Sequence, residues 1–143
     1  MEKNKNVVLK ASDYDNVDGR EVYSKKEKQV SIGCEDGEIF MKIQEEDKEM
    51  VLPFHRVLDL AIAASSTLEY FQEAYRYPKL YDPSNPVVKR IGLQGSGMTL
   101  EVCTENENID MNIDELSKAI SNQGDLIGER VRVLFSILEE MGY

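Results

Sequence analysis

The residues of this chain whose types and spacing could do chemistry gather between positions 70 and 94. Tyr70, Phe71, Tyr75, Tyr77 and Tyr81 place five of the eleven Phe and Tyr residues within twelve positions. Among and after them come Arg76, Lys79, Lys89 and Arg90, opposed within residues 73–90 only by Glu73 and Asp82. Rings give a nucleobase something to stack on, worth about 1–3 kcal/mol per base. Guanidinium groups fork onto phosphate with two hydrogen bonds, and lysines add point charge. Asn85 pairs a donor with an acceptor, as a base edge does, and Gln94 offers the same pair to base or ribose. Pro78, Pro83 and Pro86 stiffen the segment, which lowers the entropy lost on binding. The expected ligand set is therefore a ring from Tyr75 or Tyr77 and phosphate donors from Arg76, Arg90, Arg130 and Arg56. Lys79 and Arg132 stand next to these, and Asn85 and Gln94 read base or ribose.

Tyr and Arg are also the residues that protein interfaces favour. The alternative reading is a protein–protein interaction module, an inhibitor or adaptor, using the 70–90 surface. Both readings hold together if a pocket lies between subunits.

Other chemistries find less support. His55 and Asp59 are four apart and could share a helix face, with Cys103 or a serine as nucleophile, but no GxSxG elbow or family-type Cys context accompanies them. One histidine and two distant cysteines do not build a zinc site. Asp13 and Asp15 fall at calcium-loop spacing, yet Val17 occupies the next ligand position. Gly92, Gly95 and Gly97 run GxxGxG rather than GxGxxG, and the residues after them alternate with strand period. They suggest a glycine-rich hairpin turn. No catalytic residue, metal or cofactor is expected.

The formal charge of −10, from 17 Lys+Arg against 27 Asp+Glu, argues against a DNA or RNA binder, which shows a broad basic footprint. A small basic pocket still works within an acidic body, because its field is local over a Debye length of about 8 Å. No apolar run reaches the ~18 residues that a membrane helix needs, and MEKNKNVVLK has no apolar core of a leader. These features point to a cytoplasmic protein with no membrane partner. Cys34 and Cys103 are expected to be reduced and buried in strands.

The elements that must position these residues follow from periodicity. NVVLKA (6–11) reads as an edge strand. QVSIGC (29–34) and EIFMKIQE (38–45) flank Asp36-Gly37, a hairpin signal. EEDKE (45–49) reads as a charged turn. Apolar residues from Phe54 to Phe71 recur at helical spacing, predicting a long helix over 54–76 that opens on Pro53 and stops before Pro78. Asn112 and Glu115 resemble a capping box that opens a helix near 113–122. NQGD (122–125) breaks that helix, and DLIGERVRVLFSILEEMGY forms a last one with an apolar stripe and a glycine cap at Gly142. The expected fold is α+β, a single domain over 1–143. In it a small antiparallel sheet (an N-terminal hairpin plus a central strand pair) packs with one long central helix and two C-terminal helices.

The segments LPFHRVLDLAIAAS, EAYRYPKLYDPSNPVVKRIGLQG and LIGERVRVL resemble a family of short bacterial and phage proteins catalogued as a domain of unknown function. The likeness covers about residues 51–143. In size, in aromatic-Arg-Asn pocket chemistry and in an expected oligomeric body, the chain is also similar to phage anti-Thoeris sponges, which hold cyclic ADP-ribose-type signals without degrading them. That resemblance implies a function class and carries over no ligand residue. It implies a non-enzymatic, homo-oligomeric protein (dimer or higher) that sequesters a small anionic nucleotide, cyclic ADP-ribose-like or a cyclic oligonucleotide, and so antagonises immune signalling in a host cytoplasm.

Overall fold

The computed structural model describes residues 5–17, 29–73 and 81–143. The fold is α+β, with a four-stranded antiparallel sheet, a separate two-stranded sheet and three helices. The chain divides into two compact units, residues 1–62 and 63–143.

In the first unit, β1 (Val7–Ala11), β2 (Gln29–Glu35), β3 (Glu38–Gln44) and β4 (Glu49–Pro53) form a meander in chain order. The β2–β3 turn is the expected one. Asp36 and Gly37 both take positive φ, 51° and 81°, and close the pair Glu35–Glu38. Two positive φ values give the turn whose twist matches its strands, and Asp-Gly adopts it at low strain. Val30 and Ser31 of β2, a strand flanked by β1 and β3, are buried. The β3–β4 loop is closed by the Glu45 amide donating to the Lys48 carbonyl at 2.8 Å. The charged turn is thus shorter than expected, and β4 follows it. Pro53 ends that strand, paired with Phe40, and α1 (Phe54–Glu73) starts one residue later. At a strand end the missing proline N–H costs no ladder bond.

The second unit holds the later turns of α1, the β5–β6 hairpin (Val87–Leu93, Ser96–Glu101), α2 (Ile109–Asn122) and α3 (Gly124–Glu140). The glycine run is a hairpin, not an anion loop: Leu93 pairs with Ser96, and Gly95 takes φ 89°. The strand pair therefore stands as its own sheet. Helix α2 starts earlier than its apparent capping box. Asn106 arranges the entry, accepting the Asn108 amide on Oδ1 at 2.9 Å and donating through Nδ2 to Asn112 Oδ1 at 2.9 Å. Asn112 thus sits inside the helix. Only Gln123 separates α2 from α3. Gly142, at φ 90°, caps α3 as expected: its amide bonds the Glu139 carbonyl and the Tyr143 amide bonds that of Leu138. Among the described residues of this unit, Ile113 is the buried apolar one.

Candidate functional site

The expected ligand residues scatter over several elements. Tyr75, Arg76, Tyr77 and Lys79 lie outside the described residues. Arg56 belongs to the first unit, exposed on the opening turn of α1, where Nη1 pairs with Asp59 Oδ2 at 3.1 Å. That pairing also engages the carboxylate that could have shared a helix face with His55, and His55 itself is exposed.

Asn85, Arg90 and Gln94 belong to the hairpin and its entry. The turn Asp82–Asn85 is built by the Asp82 carboxylate, whose Oδ1 accepts from the Ser84 amide at 2.9 Å and its hydroxyl at 2.7 Å. Those two donors hold the Asp82 carboxyl below its ordinary value. The Asn85 amide donates to the Asp82 carbonyl, and its side chain is exposed. Arg90 is exposed on β5, with Nη1 3.4 Å from Thr99 Oγ1 across the pair. Gly92 and Gly97 oppose each other two positions along, on the same face. A Cβ on Gly97 would run into the Ile91 carbonyl oxygen, so this stretch of strand presents bare backbone beside the guanidinium. Gln94 is exposed at the tip.

Arg130 and Arg132 lie on α3. Arg130 donates to the Leu126 carbonyl at 3.1 Å, and the Arg132 guanidinium lies over Gly128, 3.0 Å from where a Cβ would stand. The hairpin groups and the α3 groups are thus held by separate elements. Tyr81, from the aromatic cluster, hydrogen-bonds Asp110 at the start of α2. Partial burial, and then the Asp110 charge, push its phenol above the ordinary value.

What the second unit does shape is a groove of about 560 Å³ among α1, α2 and α3. Leu68 and Phe71 line it from α1, Ile120 from α2, and Ile127 and Val131 from α3. Ser65, Ser117, Ser121, Gly124 and Gly128 keep it open, because small side chains leave the helices with little to fill the space between them. Glu69 and Gln72 lie at its polar side. The volume falls in the range of small-ligand clefts, and the lining suits an apolar guest. None of the six expected ligand residues that are described lines it.

Helix α3 then runs on, and every residue from Glu129 to Tyr143 is exposed. Phe135 is 61 % exposed and Met141 60 %, with Val131, Val133, Leu134, Ile137 and Leu138 all at or above 40 %. Sequence periodicity shows the apolar stripe. It does not say whether the stripe faces the chain's own core, because the pattern is the same for either partner.

Both cysteines differ from expectation. Cys34 and Cys103 are exposed, and Cys103 lies beyond the end of β6 with its thiol 3.2 Å from Glu105 Oε1. Among the described residues, no three His, Cys, Asp or Glu side chains gather closely enough to hold a metal ion, and no helix is long and apolar enough to cross a membrane.

The whole chain, residues 1–143, matches a family of unknown function (DUF6530), and the chain belongs to it. The likeness seen over 51–143 therefore extends to the N-terminal third. No curated protein and no solved structure matches the chain. The similarity to anti-Thoeris sponges is not shown by these comparisons.

Proposed function

We propose that this member of a family of unknown function is a protein-interaction module that docks through its C-terminal helix. The observation that carries the reading is the uninterrupted exposure of α3 from Glu129 to Tyr143, with seven large apolar side chains between Val131 and Met141. Patches beyond a few hundred Å² are rare on monomers and mark contact surfaces. An isolated helix of this length is also marginal in water and gains its stability from packing. The docking surface differs from the 70–90 surface favoured by composition. A cytoplasmic setting belongs to the same proposal and agrees with two free, exposed cysteines, which suit a reducing compartment. The test is a photo-crosslinking amino acid at Phe135 of the full chain in its host cells. A discrete protein adduct is expected; reaction with water alone would defeat the reading.

A second reading, capture of a small anionic nucleotide without turnover, is favoured by one observation. Arg90 is exposed on β5 beside the side-chain-free Gly92–Gly97 pair, a flat place for a planar group next to a phosphate donor. It is tested by incubating the protein with a nucleotide-rich lysate, washing, heating and weighing the released molecules. An intact nucleotide at a fixed ratio per chain supports capture, and no release counts against it.

A further inference from the structure

Resting on the docking reading above, we propose that the partner of α3 is a second copy of this chain, paired antiparallel along Ile127, Val131, Leu134, Leu138 and Met141. These residues recur at intervals of four and three, the spacing of a helix seam. No charge interrupts them.

The seam is self-complementary. A two-fold interface must offer each copy the same surface in reverse. Reversed on itself, the stripe sets Val131 against Leu134, Ile127 against Leu138 and Gly124 against Met141. The last pairing places a large flexible side chain over a residue with none, and nothing lies within 4 Å of the position a Gly124 Cβ would take.

The groove has the matching shape. It is walled by α1, α2 and the first half of α3, and its lining on α3 ends at Val131, just inside the exposed stretch that starts at Glu129. Each copy therefore has a three-helix groove and, beyond it, an apolar helix end that the described residues leave exposed. Antiparallel pairing lays each helix end in the other copy's groove and makes two four-helix clusters. The size also suits a dimer. A large side chain left half exposed keeps roughly 100 Å² in water. The four exposed seam residues, Val131, Leu134, Leu138 and Met141, then present on the order of 400 Å², and Phe135 at the seam's edge and the groove walls add to this, against about 800 Å² per partner in a stable interface.

The test is sedimentation of the full chain at micromolar concentration. A dimer is expected, and Leu134→Glu should weaken it about 100-fold or more with helix content retained. A cysteine pair tests the register even if that variant misfolds. In a Cys34→Ser, Cys103→Ser background, chains with Gly124→Cys are mixed with chains carrying Met141→Cys. Disulfides should join the unlike chains and not like with like, because like ends of an antiparallel pair of this length sit roughly 25 Å apart. Like-with-like disulfides would overturn the antiparallel seam. A monomer whose α3 amides exchange rapidly would overturn the self-partner and leave the docking reading standing. A monomer whose α3 amides are protected would mean the chain covers its own helix, and both would fall.

Discussion

Lys89 Nζ stands 3.4 Å from Glu69 Oε1, so a β5 side chain reaches the later turns of α1. Both groups are about half exposed, and water screens such pairs. A double-mutant cycle with Lys89→Ala and Glu69→Ala should give a coupling of about 0.2–1 kcal/mol that shrinks on adding salt. A coupling above that range, insensitive to salt, would mean that the pair is shielded in solution.

Tyr81 supplies a pH prediction. Its phenol is raised by partial burial, then by the Asp110 charge, then by its hydrogen bond to Asp110. A group raised by folding contributes stability that is complete below its unfolded value, about 10, and is lost as pH rises through the folded value. Stability should therefore hold to about pH 10 and fall above it. Absorbance titration of the phenolates should show one late-titrating tyrosine that Asp110→Asn moves earlier. If that variant leaves every tyrosine unmoved, the contact does not form in solution.

Two glycines of the first sheet should respond differently to alanine. Gly37 needs its positive φ but faces open space, so Gly37→Ala should cost about 1 kcal/mol. At Gly33 a Cβ would strike the Asn6 carbonyl and the Phe40 ring. The Asn6 carbonyl is not free to withdraw, because it accepts the Cys34 amide at 3.2 Å. Gly33→Ala should cost about 2–3 kcal/mol in urea unfolding; equal costs at the two sites would contradict this packing of β1 on β2.

These sites also show how much the sequence discloses. Asp36-Gly37 and Gln94-Gly95 are legible as turns because their chemistry is local, and Gly142 as a cap for the same reason. β4 is hidden because EMVLP is short, begins with a charge and ends on a proline that equally suits a helix start. The α2 entry is hidden because Asn106 acts through side-chain bonds to positions two and six residues on, outside the usual capping spacing. The α3 stripe is legible as apolar, but its neighbour is not. Of the expected ligand residues, the hairpin group could be placed on one element, whereas its relation to Arg130 and Arg132 depends on tertiary structure that no local pattern encodes.

Cys103 should be a slow nucleophile. The hydrogen bond and then the charge of Glu105, followed by desolvation and the Glu101 charge, raise its thiol above the ordinary value. The thiolate is the reactive form. In a Cys34→Ser background, alkylation near pH 8 should accelerate several-fold with Glu105→Gln, as read by intact mass; an unchanged rate would show that Glu105 does not control the thiol.

Helix α2 hands over to α3 through Gln123 alone, whose amide bonds the Ala119 carbonyl while its own carbonyl accepts the Ile127 amide. With hydrogen bonds running through the junction on both sides, α3 leaves α2 in a direction set within its own copy. In the pairing proposed above, it would meet a partner as a ready-made lever rather than a loose tail. Encounter would then be a question of alignment and diffusion, with the ordering cost of association met beforehand, in the folding of each copy.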